Sequence, residues 1–472
     1  MRHAPGYAAA VTTSYVAILA WTIASLLLPR RSDRPAAGER GVANGALVAL
    51  VCAALVASLV ASLAIAHGAA LRGTHRIAAG VPILVLADVG TGDPATSNAM
   101  QALALVESLL LFGLYRALAG RRPGRTAPLV VGAASLALLG ISLLSPVANS
   151  TDIYGYVGFA LQPATAYAPA NVPFGGDHAA IDAMFGTPRP AAWYGPLWIA
   201  ASHAVVAPVA GLAAQLVALR ALEAVALVAC LAVFARTGMP FATLALAAVN
   251  PALFSLWIVD AHNDLLAVAF IVGAAACARF PAVRVALVAA AGLVKLPLAL
   301  VGAVAFVDER SPLRRFAFAA AAVALCLGLS YAFGGPLYMR NLFAMSGHFG
   351  TAVERGLHAL DVLVALGALA LALAARRFGL GAAWSSSALS AFVAPWYGVW
   401  ALPYAAAGGF AALFLIAEPA AAYLFSWNYV STPFATACAA VAVVGPIVYA
   451  LLARSRAGRR PPAVSGAREA AA

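Results

Sequence analysis

The sequence predicts an all-α protein that crosses a membrane many times. Three observations carry this prediction. The chain is 64% hydrophobic over 472 residues, with a mean hydropathy of +0.91. Apolar runs recur at about the 20 residues that a helix needs to cross the hydrocarbon core, and roughly thirteen stretches reach that length. Between the runs stand short Arg clusters, the usual mark of cytoplasmic connections.

The elements follow in order from these signals. The first run, Tyr7 to Leu28, precedes several more spans and so reads as a membrane helix rather than a cleaved signal. Arg30, Arg31, Arg34 and Arg40 put the next connection inside. Arg116, Arg121, Arg122 and Arg125 do the same before the run Pro128 to Val147, which therefore points outward. Leu212 to Ala235 returns inside and ends at Arg236. Phe241 to Val259 then runs outward again, so Asp152 and the segment Asp260-Ala261-His262-Asn263-Asp264 meet on one outer face. Arg314 with Arg315, Arg376 with Arg377, and the tail Arg454 to Arg460 belong inside. Counting spans after Trp396 leaves that tail outside, so a Pro-broken segment near Glu418-Pro419 is expected not to cross simply.

This organisation divides the chain into an N-terminal extension (1–126), a central module (127–333) with an outer loop at 148–211, and a C-terminal region (334–453) with an outer loop at 334–356. A basic, disordered tail (454–472) follows. The net charge of +12 sits in clusters beside spans, which argues against nucleic-acid binding. All five cysteines lie in apolar runs without metal-ligand spacing, so neither a disulfide nor a metal is implied.

The connection from Asn149 to Gly195 is far longer than ordinary loops, and long loops commonly carry function. It opens with Ser150-Thr151-Asp152-Ile153-Tyr154-Gly155-Tyr156 and closes with Trp193-Tyr194-Gly195-Pro196-Leu197-Trp198. Its aromatics suit either an interfacial belt or a platform for a sugar ring. Leu197 to Ala210 is short for a span and reads as a surface or partly re-entrant helix. Only 17 acidic residues occur in the chain, so carboxylates at run ends stand out. Asp260 and Asp264 would share one helix face if a helix continued through them. Arg220 and Glu223, three apart within a run, are expected to neutralise each other. Lys295 is isolated in an apolar run and precedes Leu296-Pro297, so the chain should rise to Lys295 and fold back there.

These motifs, with Asn250-Pro251-Ala252-Leu253, Val294-Lys295-Leu296-Pro297 and Ala394-Pro395-Trp396-Tyr397, resemble the GT-C integral membrane glycosyltransferases. The nearest branch is the bacterial polyprenyl-phosphate-mannose-dependent α-mannosyltransferases, and the likeness covers about Leu143 to Leu402. Two departures are plain. Extra spans precede Asp152, and the loop reads Thr165-Ala166-Tyr167-Ala168-Pro169 where that branch has Asn-Pro-Tyr. The resemblance implies a GT-C-like helical bundle in the bacterial plasma membrane, with its active site facing outward. It implies transfer of a hexose, mannose in that branch, with inversion, from a polyprenyl-phosphate sugar to a glycan or glycolipid acceptor.

Under this resemblance Asp152 becomes the general base for the acceptor hydroxyl. Tyr154, Tyr156, Trp193, Tyr194, His262, Asn263 and Asp264 become substrate-binding residues. Lys295, Arg340, His348 and Arg355 become candidates for the donor phosphate, since Arg and Lys are the usual phosphate partners. No metal cofactor is expected, because a lipid monophosphate donor needs no ion to bridge two phosphates. Asp260, His262 and Asp264 could nonetheless ligate a divalent ion. The competing reading is a transporter or flippase of lipid-linked sugars. Such proteins tend to show internal repeats and paired broken helices, and no repeat is visible in the sequence.

Overall fold

The computed structural model describes residues 15–23, 25, 41–72, 94–148, 150–168, 173–185, 189–345, 352–390 and 394–424, with positions 433, 434 and 437. Among them the regular structure is helical, with an isolated bridge between Val42 and Arg122. The basic tail at 454–472 lies outside the described residues.

The long helices are α1 (Gly45–Arg72), α2 (Pro94–Leu118), α3 (Thr126–Leu144), α7 (Leu212–Arg236), α12 (Pro312–Met345) and α13 (Ala352–Ala375). Each contains a stretch long and apolar enough to span a membrane, which makes six among the described residues. A seventh is reached if α8 (Phe241–Ala248) and the π-helical turn Leu253–Val259 count as one span bent by 51°. The sequence suggested about thirteen. Part of the difference is physical: several apolar runs are broken into short helices that do not cross by themselves. These are α6 (Pro196–Val206), α9 (Asp264–Ala276), α10 (Pro281–Val294) and α16 (Ala411–Leu424). The remaining elements are α4 (Asp152–Leu161), α5 (Ala179–Phe185), α11 (Leu298–Val301), α14 (Leu380–Ser385) and α15 (Ala401–Gly408).

Proline and glycine set the breaks. Pro251 follows the end of α8, and Pro297 begins the single turn α11. Gly335, at φ 67, kinks α12 just before Pro336. Part of the expected outer loop 334–356 is therefore helix: α12 continues past the kink to Met345. Proline also leaves orphan carbonyls. Pro419 in α16 has no N–H, and the Asn250 side-chain amide donates to the Leu415 carbonyl one turn earlier at 2.8 Å.

One end of the bundle is stitched by Arg. Arg284 at the start of α10 reaches Asp308 and the Ala305 carbonyl. Arg315 donates to the Glu309 carbonyl at 2.6 Å, and Arg376 to the Asp308 and Glu309 carbonyls at 2.8 and 2.7 Å. These residues gather at one end, as the charge pattern predicts, while Lys295 terminates α10 at the other.

The opposite end holds the long loop. It is folded, and most of its aromatics are buried, contrary to the exposed platform or belt that the sequence suggests. Tyr154, Tyr156, Tyr194 and Trp198 are buried, and Trp193 is half-buried. Tyr156 packs edge-on against Tyr194 and Trp198, with centroids 4.8 and 5.1 Å apart. α6, too short to span, buries Trp198, Ile199, Ser202 and Val206 on its inward face and leaves Ala200, His203 and Ala204 exposed. The loop closes where the Gly195 N–H donates to the Val294 carbonyl at 2.9 Å. A Cβ at Gly195 would run into the Leu293 carbonyl, so only glycine permits this approach.

Gly195→Ala should therefore push the loop off the end of α10. The expected cost is about 1–3 kcal/mol, the usual range for overpacking. Thermal unfolding of the purified protein in detergent checks it, and an unchanged midpoint would show that the contact is not tight.

Candidate active site

Five segments converge at the loop end of the bundle: the end of α3, the start of α4, the turn 260–263, the end of α10, and the 3₁₀ turn Pro395–Trp400. Arg220 of α7 ties two of them. It donates to the Leu143 and Ser145 carbonyls at 3.1 and 2.6 Å and to the Val259 carbonyl at 2.7 Å. Glu223 goes elsewhere, accepting from the Leu266 N–H at 2.9 Å. The expected Arg220–Glu223 pair does not form. Backbone carbonyls freed where α3 ends and the bent span stops claim the guanidinium instead.

The turn 260–263 separates its two carboxylates. Ala261 adopts φ 50, a left-handed conformation rare outside glycine, and α9 begins only at Asp264. Asp260 and Asp264 thus do not share a helix face. Asp260 accepts from the Ala148 N–H at 3.1 Å and closes the turn after α3. Asp264 faces Lys295: its oxygens lie 2.9 and 3.1 Å from Nζ, and the Trp400 indole N–H donates to Oδ1 at 2.6 Å. Both charges are buried. The Lys295 ammonium also lies 4.2 Å from the Tyr397 ring centre and 5.6 Å from that of Trp400. Lys295 is thus half of a buried ion pair walled by aromatics.

Asp152 stands beside this pair. Its side chain keeps 22% of its exposure. The Tyr194 hydroxyl donates to Oδ2 at 3.3 Å, and the Asp152 N–H donates to the Ser150 hydroxyl at 3.1 Å. Burial pushes the carboxyl up to about 6, against the opposing pull of Lys295 and the Tyr194 hydrogen bond. His262 approaches with Nδ1 3.9 Å from Oδ2. Its ring stacks on Trp396 at 4.0 Å, and neither ring nitrogen has a hydrogen-bond partner. Burial, then the Lys295 charge, lowers the His262 pKa well below its ordinary value. The imidazole is therefore neutral, and the contact with Asp152 is a close approach rather than an ion pair. Both polar atoms of the Asn263 side chain are likewise buried without partners.

The structure thus brings together Asp152, Tyr156, Tyr194, His262, Asp264 and Lys295, and packs Trp193 against Tyr194 at 5.8 Å between ring centres. Asn263 follows His262 in the same turn. Tyr154, by contrast, is buried on the Arg220 side of α4, with its charge neighbours Arg220 and Asp260. Arg340 and Arg355 are exposed on α12 and α13, outside this cluster, and His348 lies outside the described residues. Arg340 follows the kink, one residue before Asn341, whose amide holds the Tyr167 carbonyl at 2.9 Å. Sequence reasoning missed Trp400, Tyr397 and Trp396 as site residues. The Ala-Pro-Trp-Tyr motif was the available signal, but nothing in it shows that its aromatics close on Asp264 and Lys295. Among the described residues no group of three His, Cys, Asp or Glu side chains has the geometry of a metal site.

Chemically, the cluster offers one partly exposed carboxylate, a neutral imidazole, hydroxyl donors and a fixed cation in a water-poor enclosure. Comparison with protein-family models, with curated proteins and with solved structures gives no match.

The ion pair has a mechanical consequence. Lys295→Met should leave Asp264 buried with only an indole partner. The expected loss is about 3–5 kcal/mol, the usual cost of removing one partner of a buried pair. Asp264→Asn added to it should recover part of that loss, because the orphan charge is gone. Denaturant unfolding in detergent for the two variants measures this. Equal stability of Lys295→Met and the parent would mean that the pair carries no strain on removal.

Proposed function

We propose that this protein is a membrane glycosyltransferase of the GT-C type. In this reading it moves a hexose, mannose by the resemblance, from a polyprenyl-phosphate sugar to a lipid-linked or cell-envelope glycan acceptor, with inversion. The protein sits in the bacterial plasma membrane and its site faces the periplasm or exterior.

A single observation carries the reading. Asp152 is a partly exposed carboxylate among buried aromatic and polar groups, raised toward neutrality yet still bonded by Tyr194. Sugar transfer needs a base for the acceptor hydroxyl, in-line positioning of the anomeric carbon, and stabilisation of the departing phosphate. Asp152 is the group suited to act as the base, because Asp260 is held by a backbone N–H, and Asp264 by Lys295 and Trp400. The proton of the acceptor hydroxyl passes to Asp152 as its oxygen bonds to the anomeric carbon, and the bond to the lipid phosphate breaks. His262 and Asn263 offer unmet hydrogen-bonding atoms for sugar hydroxyls. The Lys295 charge, shared with Asp264, favours the phosphate leaving with its electron pair.

Asp152→Asn keeps the shape and removes the basic oxygen. Transfer of labelled mannose from polyprenyl-phosphate-mannose in membranes should fall by about 10²–10⁴-fold, the usual contribution of a general base. Near-normal turnover in Asp152→Asn beside a dead Asp264→Asn would move the base to the other cluster. No transfer by the parent from any lipid-phosphate sugar would favour the transporter reading.

The parent rate should also depend on pH in one direction. A base must be deprotonated to act, and Asp152 titrates at about 6. Activity should fall as pH drops through about 6 and level off above it, with Asp152→Asn lacking this limb. A parent profile that stays flat between about pH 5 and about pH 8 would count against the assignment.

A further inference from the structure

The N-terminal extension has no part in the proposed chemistry, yet it borders a small cavity of about 20 Å³ with α16 and the bent span. Ser62 of α1, Met100, Leu103, Ala104 and Glu107 of α2, and Pro419 and Ala422 of α16 line it. Ala252, Ser255 and Leu256 of the bent span complete the wall. Two features make this more than a packing defect. First, Glu107 is a buried carboxylate near the middle of a candidate span, Asn98–Leu118. Such a group is expensive in a membrane interior, and it commonly marks an ion or substrate site.

Second, a broken span meets a proline-bearing helix here. α8 stops at Ala248, and the chain resumes as the π-helical turn at Leu253, with a bend of 51°. α16 carries Pro419, and the carbonyl this frees at Leu415 is taken by Asn250, which sits in the break of the span. The Asn250 side chain also accepts the Ala252 N–H at 3.1 Å. The break in the span is therefore tied to α16 by the Asn250 side chain. A broken membrane helix beside oxygen ligands is a common way for membrane proteins to hold small cations.

We propose that this cavity binds a small monovalent cation, sodium in particular. Glu107 supplies the charge, and the Ser62 and Ser255 hydroxyls supply neutral oxygens. Among the described residues Ser62 donates only to the Met100 sulfur at 3.9 Å, a weak bond that leaves oxygen lone pairs to accept a cation. One carboxylate lines the cavity, which suits a single charge better than a divalent ion. The same bent span leads directly into Asp260 and His262, so cation binding stiffens the segment that carries the candidate active site.

The test is ²²Na⁺ binding to the purified full-length protein in lipid nanodiscs, with choline replacing sodium at constant ionic strength. The parent should bind in a saturable way, displaced by unlabelled Na⁺, at one ion per chain. Glu107→Gln should weaken binding at least tenfold, and Ser255→Ala several-fold. If Glu107→Gln does not fold, Ser62→Ala and Ser255→Ala decide, each with the same expected direction. Absence of displaceable ²²Na⁺ binding in the parent overturns the proposal. So does unchanged binding in Glu107→Gln, or in both serine variants. This result is independent of sugar transfer, which need not be measured.

Discussion

The buried pair between Asp264 and Lys295 is the interaction on which the arrangement depends. Two full charges leave water only if each finds a close partner, because an unpaired charge in this setting costs several kcal/mol. The pair fixes the start of α9 against the end of α10. Trp400 then satisfies Asp264 further, and Tyr397 covers the ammonium. The turn Pro395–Trp400 is thereby drawn over both, and it brings Trp396 against His262. The chain breaks at Lys295-Leu296-Pro297 and at 260–263 follow the same need: continuous helices would carry these groups into lipid.

Three carboxylates crowd this end of the bundle, and their partners sort them. Asp260 is committed to a backbone N–H and to the electrostatic company of Arg220. Asp264 has a cation at charge-assisted hydrogen-bond distance, which is stronger than a neutral contact and favours the ionised form against the opposing effect of burial. Asp152 has one long hydroxyl contact and some access to solvent. A group held weakly can exchange a proton with an incoming hydroxyl, whereas one clamped by a lysine cannot do so without breaking the clamp. That difference in partners, more than position in the sequence, singles out Asp152.

Much of this was legible in the chain. The helical class, the gathering of Arg-bearing links at one end and the meeting of Asp152 with the 260–264 segment all follow from apolar runs and charge placement. The fold-back at Lys295 follows from Pro297. Less legible were the consequences of close packing. The pattern of three apart suggested an Arg220–Glu223 pair, but orphan carbonyls compete for a buried guanidinium and win. The spacing of four suggested one face for Asp260 and Asp264, but a left-handed Ala261 ends the helix between them. The loop aromatics looked interfacial because periodicity cannot reveal that Gly195 docks the loop onto α10. Trp400 lies more than a hundred residues from Asp264, and no local pattern announces that contact.

An electron cryo-microscopy structure of the protein with a polyprenyl-phosphate hexose bound would show directly whether Asp152 serves as the base. Sugar density is expected beside Asp152, Tyr194 and His262, with the phosphate on the Lys295 side of the ring. Phosphate held instead by Arg340 or Arg355 on the outer surface, with Asp152 left facing solvent, would contradict that assignment.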